Sequence, residues 1–309
     1  MPGTETDGAP VASVIVPTYA RPDKLRACLD ALAGLEGVRF EVVVVDDGSP
    51  EPVAPVVEGF AGRLDARCLR QENAGPAAAR NRGAAAARGR WLAFTDDDCE
   101  PEPGWLAALV RALEARPDAL VGGHTVDVAG DVYAGAAQDL VGFLYAHAAE
   151  KGRSDAGEGA GFDFFTSNNL ACSAEAFARL GGFDETFPLA AGEDRDFGLR
   201  FKAAGGPLVF VPDAVMRHRH GMTLARFFRQ QRNYGRGAYH LRKRTTEAGG
   251  EPVPFEGLRF YLGLVGYPFR VGSSRPLTRA ALLGLSQAAM VAGFAQEAVQ
   301  RRGGGGGVV

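Results

Sequence analysis

The stretch Phe40-Glu41-Val42-Val43-Val44-Val45 constrains the fold of this chain more than any other. An apolar strand with so little polar alternation is buried on both faces, as in a parallel sheet covered by helices. It ends abruptly in Asp46-Asp47-Gly48-Ser49. Two other apolar runs end in the same way. Residues 11–16 stop at Pro17-Thr18-Tyr19, and residues 91–95 run into Asp96-Asp97-Asp98. Between the first two strands, residues 23–35 place Leu25, Cys28, Leu29 and Leu32 on one helical face. Strand, helix, strand at this spacing is a βαβ unit. Ligands of such sheets sit beyond the carboxyl ends of the strands, where all three polar clusters lie.

Three adjacent carboxylates repel one another unless positive charge lies among them. A hard divalent cation meets that need, because Mg²⁺ and Mn²⁺ prefer carboxylate oxygens. A solvated acidic turn is the alternative. No GxGxxG follows the first strand and no GxxxxGK[ST] occurs anywhere, which argues against a dinucleotide dehydrogenase and a P-loop NTPase.

The remaining elements are coarser. Residues 53–60 read as a weak helix, 66–70 as a strand, 77–88 as an Ala-rich helix after the loop Glu72-Asn73-Ala74-Gly75-Pro76, and 103–115 as another helix. In the second half, 121–128 reads as a strand, and 129–161 shows no pattern and is expected to be loops. Residues 164–172 are strand-like and carry Asn168 and Asn169, two amides that either the fold or a ligand must satisfy. Glu193, Asp194 and Asp196 crowd the start of a helix. They are either charges favoured by the helix dipole or the place of a general base. A strand over 208–211 follows, with His218 and His220 just beyond it.

The 309 residues are 46% apolar, which suits one large α/β domain with an appendage or two smaller domains. Lys plus Arg number 34 against 37 Asp plus Glu, a net charge of −3 that argues against a dedicated nucleic-acid binder. Cys28, Cys68, Cys99 and Cys172 have no metal-like spacing and read as reduced thiols of a cytoplasmic protein. Residues 1–10 are polar, unlike a secretory signal, and are expected to be disordered, as is a glycine tail over 303–309.

The ordered set of motifs resembles the family 2 glycosyltransferases of GT-A fold, mostly bacterial enzymes that build cell-surface glycans. The matching pieces are Ser13-Val14-Ile15-Val16-Pro17-Thr18-Tyr19, Val44-Val45-Asp46-Asp47-Gly48-Ser49 and Asn73-Ala74-Gly75-Pro76 with Ala79-Arg80-Asn81-Arg82-Gly83. Phe94-Thr95-Asp96-Asp97-Asp98, Gly181-Gly182-Phe183-Asp184 and Gly192-Glu193-Asp194 complete it. The resemblance covers about residues 11–220, as a nucleotide-binding half to 118 and an acceptor half from 119. It implies an α/β fold of GT-A type, a mostly parallel central sheet with flanking helices, followed by a helical C-terminal appendage over 221–302.

It also implies roles. Tyr19 would lie against the base of a nucleotide-sugar donor and Asp47 would bond that base. Pro17, Thr18, Arg21, Asp46, Asn73, Gly75 and Asp97 would line the same site, and Arg80 would stand close to the nucleotide. The D-x-D motif falls on Asp96 and Asp98. Asp98 would ligate Mn²⁺ or Mg²⁺, and Asp96 would bond ribose or a metal-bound water. His218 fits a further metal ligand better than His220. Asp194, paired with Glu193, would be the general base of an inverting transfer from a UDP-, GDP- or dTDP-sugar to a saccharide or lipid-linked hydroxyl. A sugar-phosphate nucleotidyltransferase is the competing enzyme class, but Pro17-Thr18-Tyr19-Ala20-Arg21-Pro22 stands where that class has a Gly-rich basic loop. An inactive nucleotide-sugar-binding protein is the third reading.

The resemblance stops short of the C-terminal region. Residues 214–246 contain no acid and nine Lys or Arg, and 280–296 contain no charge. This region is expected to make a peripheral contact with the inner face of the plasma membrane through 217–244 and 257–300, to pack on the catalytic domain, or to form a homodimer contact.

Overall fold

A computed structural model describes residues 9–154, 161–187, 191–247, 249 and 256–303. The N-terminal residues 1–8 and most of the glycine tail, both expected to be disordered, lie outside the described residues. The elements in chain order are β1 (Ala12–Thr18), α1 (Pro22–Leu32), β2 (Phe40–Asp46), α2 (Ala54–Glu58), β3 (Ala66–Arg70), α3 (Pro76–Ala86), β4 (Trp91–Phe94) and β5 (Cys99–Pro101). They continue with α4 (Trp105–Ala115), β6 (Leu120–Asp127), α5 (Val132–Ser154), β7 (Leu170–Ser173), α6 (Ala174–Arg179), α7 (Glu193–Ala203) and β8 (Leu208–His218). Three helices end the chain: α8 (Leu224–Glu247), α9 (Leu258–Arg270) and α10 (Pro276–Gly303).

Two compact units result. The first takes residues 1–126, 163–184 and 197–218 and holds an eight-stranded sheet in the order β3-β2-β1-β4-β7-β6-β8-β5. β3, β2, β1 and β4 run parallel, and the pairs β4–β7, β6–β7 and β5–β8 are antiparallel. All of β1 is buried, as is β2 beyond Phe40, because helices cover both faces. Val14, Val16, Val42 and Val44 pack with Leu25, Leu29 and Leu32 of α1. On the opposite face Gly83 of α3 lies against Ile15, whose Cγ2 a Cβ at that position would meet at 2.5 Å. Thr18 stands beside Asp46 in register, so the polar ends of β1 and β2 are level. The rings of Phe94, Phe177, Phe183 and Phe197 cluster with centroids 5.0–5.5 Å apart.

The buried Glu41 of β2 interrupts this apolar sheet. Its Oε1 accepts from Ser13 Oγ and the Arg88 amide, both at 2.6 Å, and its Oε2 meets Arg88 Nε at 2.8 Å and Arg67 at 3.2 Å. Burial alone would raise its pKa, but the hydrogen bonds from Ser13 and Arg88 and the Arg67 charge outweigh that and hold it below the ordinary value. A carboxyl depressed in the native state stabilises it above the unfolded pKa, near 4.3, and that contribution fades as pH falls through the folded pKa. Glu41→Gln is therefore expected to lower Tm at pH 7 and to narrow the gap from wild type as thermal melts are taken below about pH 4. An equal Tm deficit at every pH would show that the charge of Glu41 contributes nothing.

The second unit takes residues 127–162, 185–196 and 219–309. In it α8 and α10 approach closely through glycine. A Cβ on Gly235 would strike the Met290 carbonyl, and one on Gly293 would strike the Arg232 carbonyl. Between them the buried Glu297 accepts from Arg236 at 2.7 Å and meets His240 at 2.9 Å.

The structure corrects several sequence expectations. Residues 132–154, expected as loops, form the 23-residue helix α5, with Ala134, Ala136, Leu140 and Phe143 buried. Of the strand expected over 164–172 only residues 170–172 pair in the sheet, as part of β7, which runs on to Ser173. β8 runs to His218 rather than stopping at Val211, because it also pairs with the unexpected three-residue β5.

Candidate active site

The ends of β1, β2 and β4 place the acids. Asp46 closes β2 and is buried. Its carboxylate accepts from the Ser49 amide at 2.9 Å and meets Arg70 at 2.6 Å, contacts that outweigh its burial and hold its pKa down. Asp47 gathers the loop before α3: its Oδ1 accepts from Gln71 Nε2 at 2.8 Å and Ala74 N at 2.9 Å, and its Oδ2 from Gly75 N at 2.9 Å. Its carbonyl accepts from Asn73 Nδ2 at 2.9 Å. Gly75, at φ 90°, turns this loop into α3 in a conformation that a side chain disfavours. Asp46 and Asp47 are thus the organisers of the strand-end loops, and Tyr19, which follows the end of β1, is 46% exposed.

The three acids after β4 have three different environments. Asp96 is half-buried and pairs at 2.7 Å with Arg80, whose guanidinium is buried over the Phe183 ring at 5.8 Å. Asp97 is fully buried; it accepts from Thr18 Oγ1 at 2.7 Å and meets Arg21 at 2.8 Å. Burial pushes its pKa up to about 7, against the pull of Arg21 and Thr18 and with a further push from Asp98 and Asp96. Asp98 draws in two cationic side chains, Lys24 at 3.0 Å and Arg21 at 3.1 Å, and the imidazole Nε2 of His218 at 3.2 Å. Burial would depress the His218 pKa, but its bond to Asp98 and the charges of Asp98 and Asp96 raise it overall.

This donor set fits a divalent cation. A carboxylate and an imidazole nitrogen meeting at the end of β8 suit Mn²⁺ and similar ions. The buried carboxylate of Asp98 favours positive charge, which Lys24 and Arg21 supply in this structure. His220 lies two residues past the end of β8.

Pro17 is buried within β1, next to Thr18. Asn169 belongs to the fold: its Oδ1 accepts from Trp105 Nε1 at 2.8 Å, and its Nδ2 donates to the Ala214 carbonyl at 3.1 Å. Asn168 Nδ2 reaches Cys99 Sγ at 3.6 Å, and its buried Oδ1 has no hydrogen-bond partner among the described residues. Glu193, Asp194 and Asp196 occupy the first turn of α7. Glu193 is buried, Asp194 Oδ1 accepts from the Arg195 amide at 2.8 Å, and Asp196 pairs with Arg244 at 2.8 Å. Sequence reasoning missed Lys24, which sits on α1 as one more polar position of an amphipathic helix.

The relatives of the chain agree with this architecture. The pre-mycofactocin glycosyltransferase of Mycobacterium tuberculosis is 32% identical over 234 residues, covering 74% of this chain and 47% of that protein. The chain therefore spans about half the length of this curated relative. A mannosyltransferase of Pyrobaculum calidifontis, solved with GDP-Man and Mn²⁺, superposes with a TM-score of 0.64 at 22% identity, over 94% of this chain and 88% of that one. TarS 1-349 of S. aureus, solved with UDP-GlcNAc, gives 0.56 at 16% identity over 94% and 92%. At such identities these structures establish the fold, which is of GT-A type. The model of the family described as glycosyl transferase family 2 matches residues 13–169, and the chain belongs to that family.

Proposed function

We propose that the chain is an inverting, divalent-metal-dependent glycosyltransferase that moves a sugar from a nucleoside-diphosphate donor to a hydroxyl acceptor. The observation that carries the reading is the convergence of Asp46, Asp47, Asp96 and Asp98 with Arg80 and His218 at the carboxyl ends of β1, β2, β4 and β8. Tyr19 offers its exposed ring to the base, and Asp47 holds the loop that borders it. Arg80 stands near the nucleotide, kept rigid by Asp96 and Phe183. Asp98, Asp96 and His218 would hold a divalent cation, which when bound would supply positive charge for the departing diphosphate.

The acceptor hydroxyl is a poor nucleophile and needs a carboxylate to take its proton. Asp194 has this role, with Glu193 beside it. The acceptor oxygen bonds to the anomeric carbon while the bond from that carbon to the diphosphate oxygen breaks. The electron pair leaves with the nucleoside diphosphate, and a single displacement inverts the centre.

The family relation supports transfer chemistry. The GDP-Man and UDP-GlcNAc of the two structural neighbours nominate GDP- and UDP-sugars as the first donors to try, with dTDP-sugars next. In a thermal-shift screen, one of these nucleotides with Mn²⁺ or Mg²⁺ is expected to raise Tm as the logarithm of its concentration, equivalent to about 2.7 kcal/mol at a hundredfold excess over Kd. A flat response to every nucleotide at millimolar concentration would sink the proposal. Release of nucleoside diphosphate without pyrophosphate separates it from a nucleotidyltransferase.

A further inference from the structure

The second unit presents a surface that sugar transfer does not require. On α9, Leu258, Leu262, Val265 and Phe269 are 73%, 65%, 36% and 51% exposed. Their spacing of four, three and four residues puts them on one face of the helix. The opposite face, with Leu264 and Pro268, is buried. α10 repeats the arrangement: Leu277, Leu285, Val291 and Val299 are 54–76% exposed, while Leu282, Leu283 and Ser286 are buried. A helix on the surface of a globular protein carries charged and polar residues on such a face.

Within the two helices and their connection the charges are mostly positive. From Leu258 to Gln300 the chain has four arginines, Arg259, Arg270, Arg275 and Arg279, and one acid, Glu297. Glu297 is buried against Arg236 and His240, Arg279 meets the buried Asp139 at 3.3 Å, and Arg270 lies 3.9 Å from the exposed Glu150 of α5, so among the described residues Arg259 and Arg275 carry the positive charge of these faces that no carboxylate of α5 or α10 offsets. The whole segment 219–309 has fourteen Lys and Arg against four Asp and Glu, a net charge of 14 − 4 = +10. The remaining 1–218 has twenty against thirty-three, or 20 − 33 = −13. Positive charge beside exposed apolar surface complements an anionic lipid leaflet, which takes up both. It disfavours a second copy of the chain, which would bring Arg259 and Arg275 of the two faces toward one another.

We propose that the open faces of α9 and α10 are a docking surface for an anionic membrane, on which the helices lie in the plane of the interface. Pro276–Gln300 of α10 is long and apolar enough to span a bilayer, the one such stretch among the described residues. Its buried Glu297 pair and its glycine-mediated packing on α8 commit one face to protein, which favours lying on the membrane over crossing it.

The test uses the full chain and sucrose-loaded vesicles of phosphatidylcholine, with and without about one third phosphatidylglycerol, in a co-sedimentation assay. Binding is expected to rise roughly tenfold with the anionic lipid and to fall at high salt. Leu262→Asp combined with Phe269→Asp is expected to reduce it by about tenfold at an unchanged Tm, since both side chains are exposed. Should that variant fail to fold, Arg259→Gln with Arg275→Gln is expected to weaken binding to the anionic vesicles alone. Absence of binding to either vesicle, binding indifferent to these variants, or a dimer in light scattering that Leu262→Asp dissolves would each overturn the proposal. The readout is vesicle binding, so it stands or falls independently of transfer.

Discussion

Asp98→Ala is expected to abolish the effect of Mn²⁺ on nucleotide binding and to lower transfer by roughly a thousandfold, while the protein alone melts within a few degrees of wild type. The two halves of this expectation have different physical causes. Asp98 is buried, and its carboxylate faces Lys24, Arg21 and His218 within 3.2 Å. Lys24 and Arg21 are 38% and 41% exposed at the side chain, so on losing Asp98 they can turn to water, and Arg21 keeps Asp97. Ion pairs with one end in water contribute about 1 kcal/mol or less, so the fold should survive. On the proposed reading a cation would find no replacement for this buried carboxylate, because Asp97 is fully buried and committed to Thr18 and Arg21, and Asp96, which also pairs with Arg80, would be left with His218 alone to hold it. Nucleotide titrations followed by melting, with and without Mn²⁺, separate the effects. A wild-type Mn²⁺ response in Asp98→Ala would place the metal on other residues. His218→Ala is expected to weaken the response without removing it.

The parts of this site that are legible in the sequence are those written in contiguous residues. Val42–Val45 has no face for water, so a sheet covered on both sides follows, and Asp46 and Asp47 must then stand at its edge. The parts that are not legible join distant residues or lack periodic contrast. Lys24 reaches Asp98 across 74 positions, and nothing in the spacing of α1 marks it among the other polar residues of that helix. α5 escapes a periodicity reading because small side chains such as Ala134 and Ala136 fill its buried positions, which blurs the 3.6-residue contrast. Asn168 and Asn169 look alike as neighbours in sequence. The Trp105 indole and the Ala214 carbonyl, 64 and 45 residues away, make Asn169 a structural amide. The acid of Glu41 is likewise explained only by Ser13, Arg67 and Arg88, all distant from it in sequence.

Asp194→Asn is expected to reduce kcat by about a thousandfold and to leave the nucleotide- and Mn²⁺-induced rise in Tm unchanged. The substitution is isosteric. An asparagine oxygen can keep the 2.8 Å hydrogen bond from the Arg195 amide that orients this side chain in the first turn of α7, so the local backbone has no reason to move. What is lost is the capacity to take a proton. An amide cannot accept the hydrogen of the acceptor hydroxyl as the new glycosidic bond forms, and that step alone should slow. On the proposed reading donor binding would rely on Tyr19, Asp46, Asp47 and Arg80 and would make no use of that proton. The same logic predicts that added acceptor speeds nucleoside diphosphate release in the wild type and has little effect in the variant. Glu193, the buried neighbour in the same turn, supplies the control. If Asp194→Asn turns over near the wild-type rate while Glu193→Gln does not, the base is Glu193. If both variants turn over normally, the acceptor is deprotonated by a group outside α7.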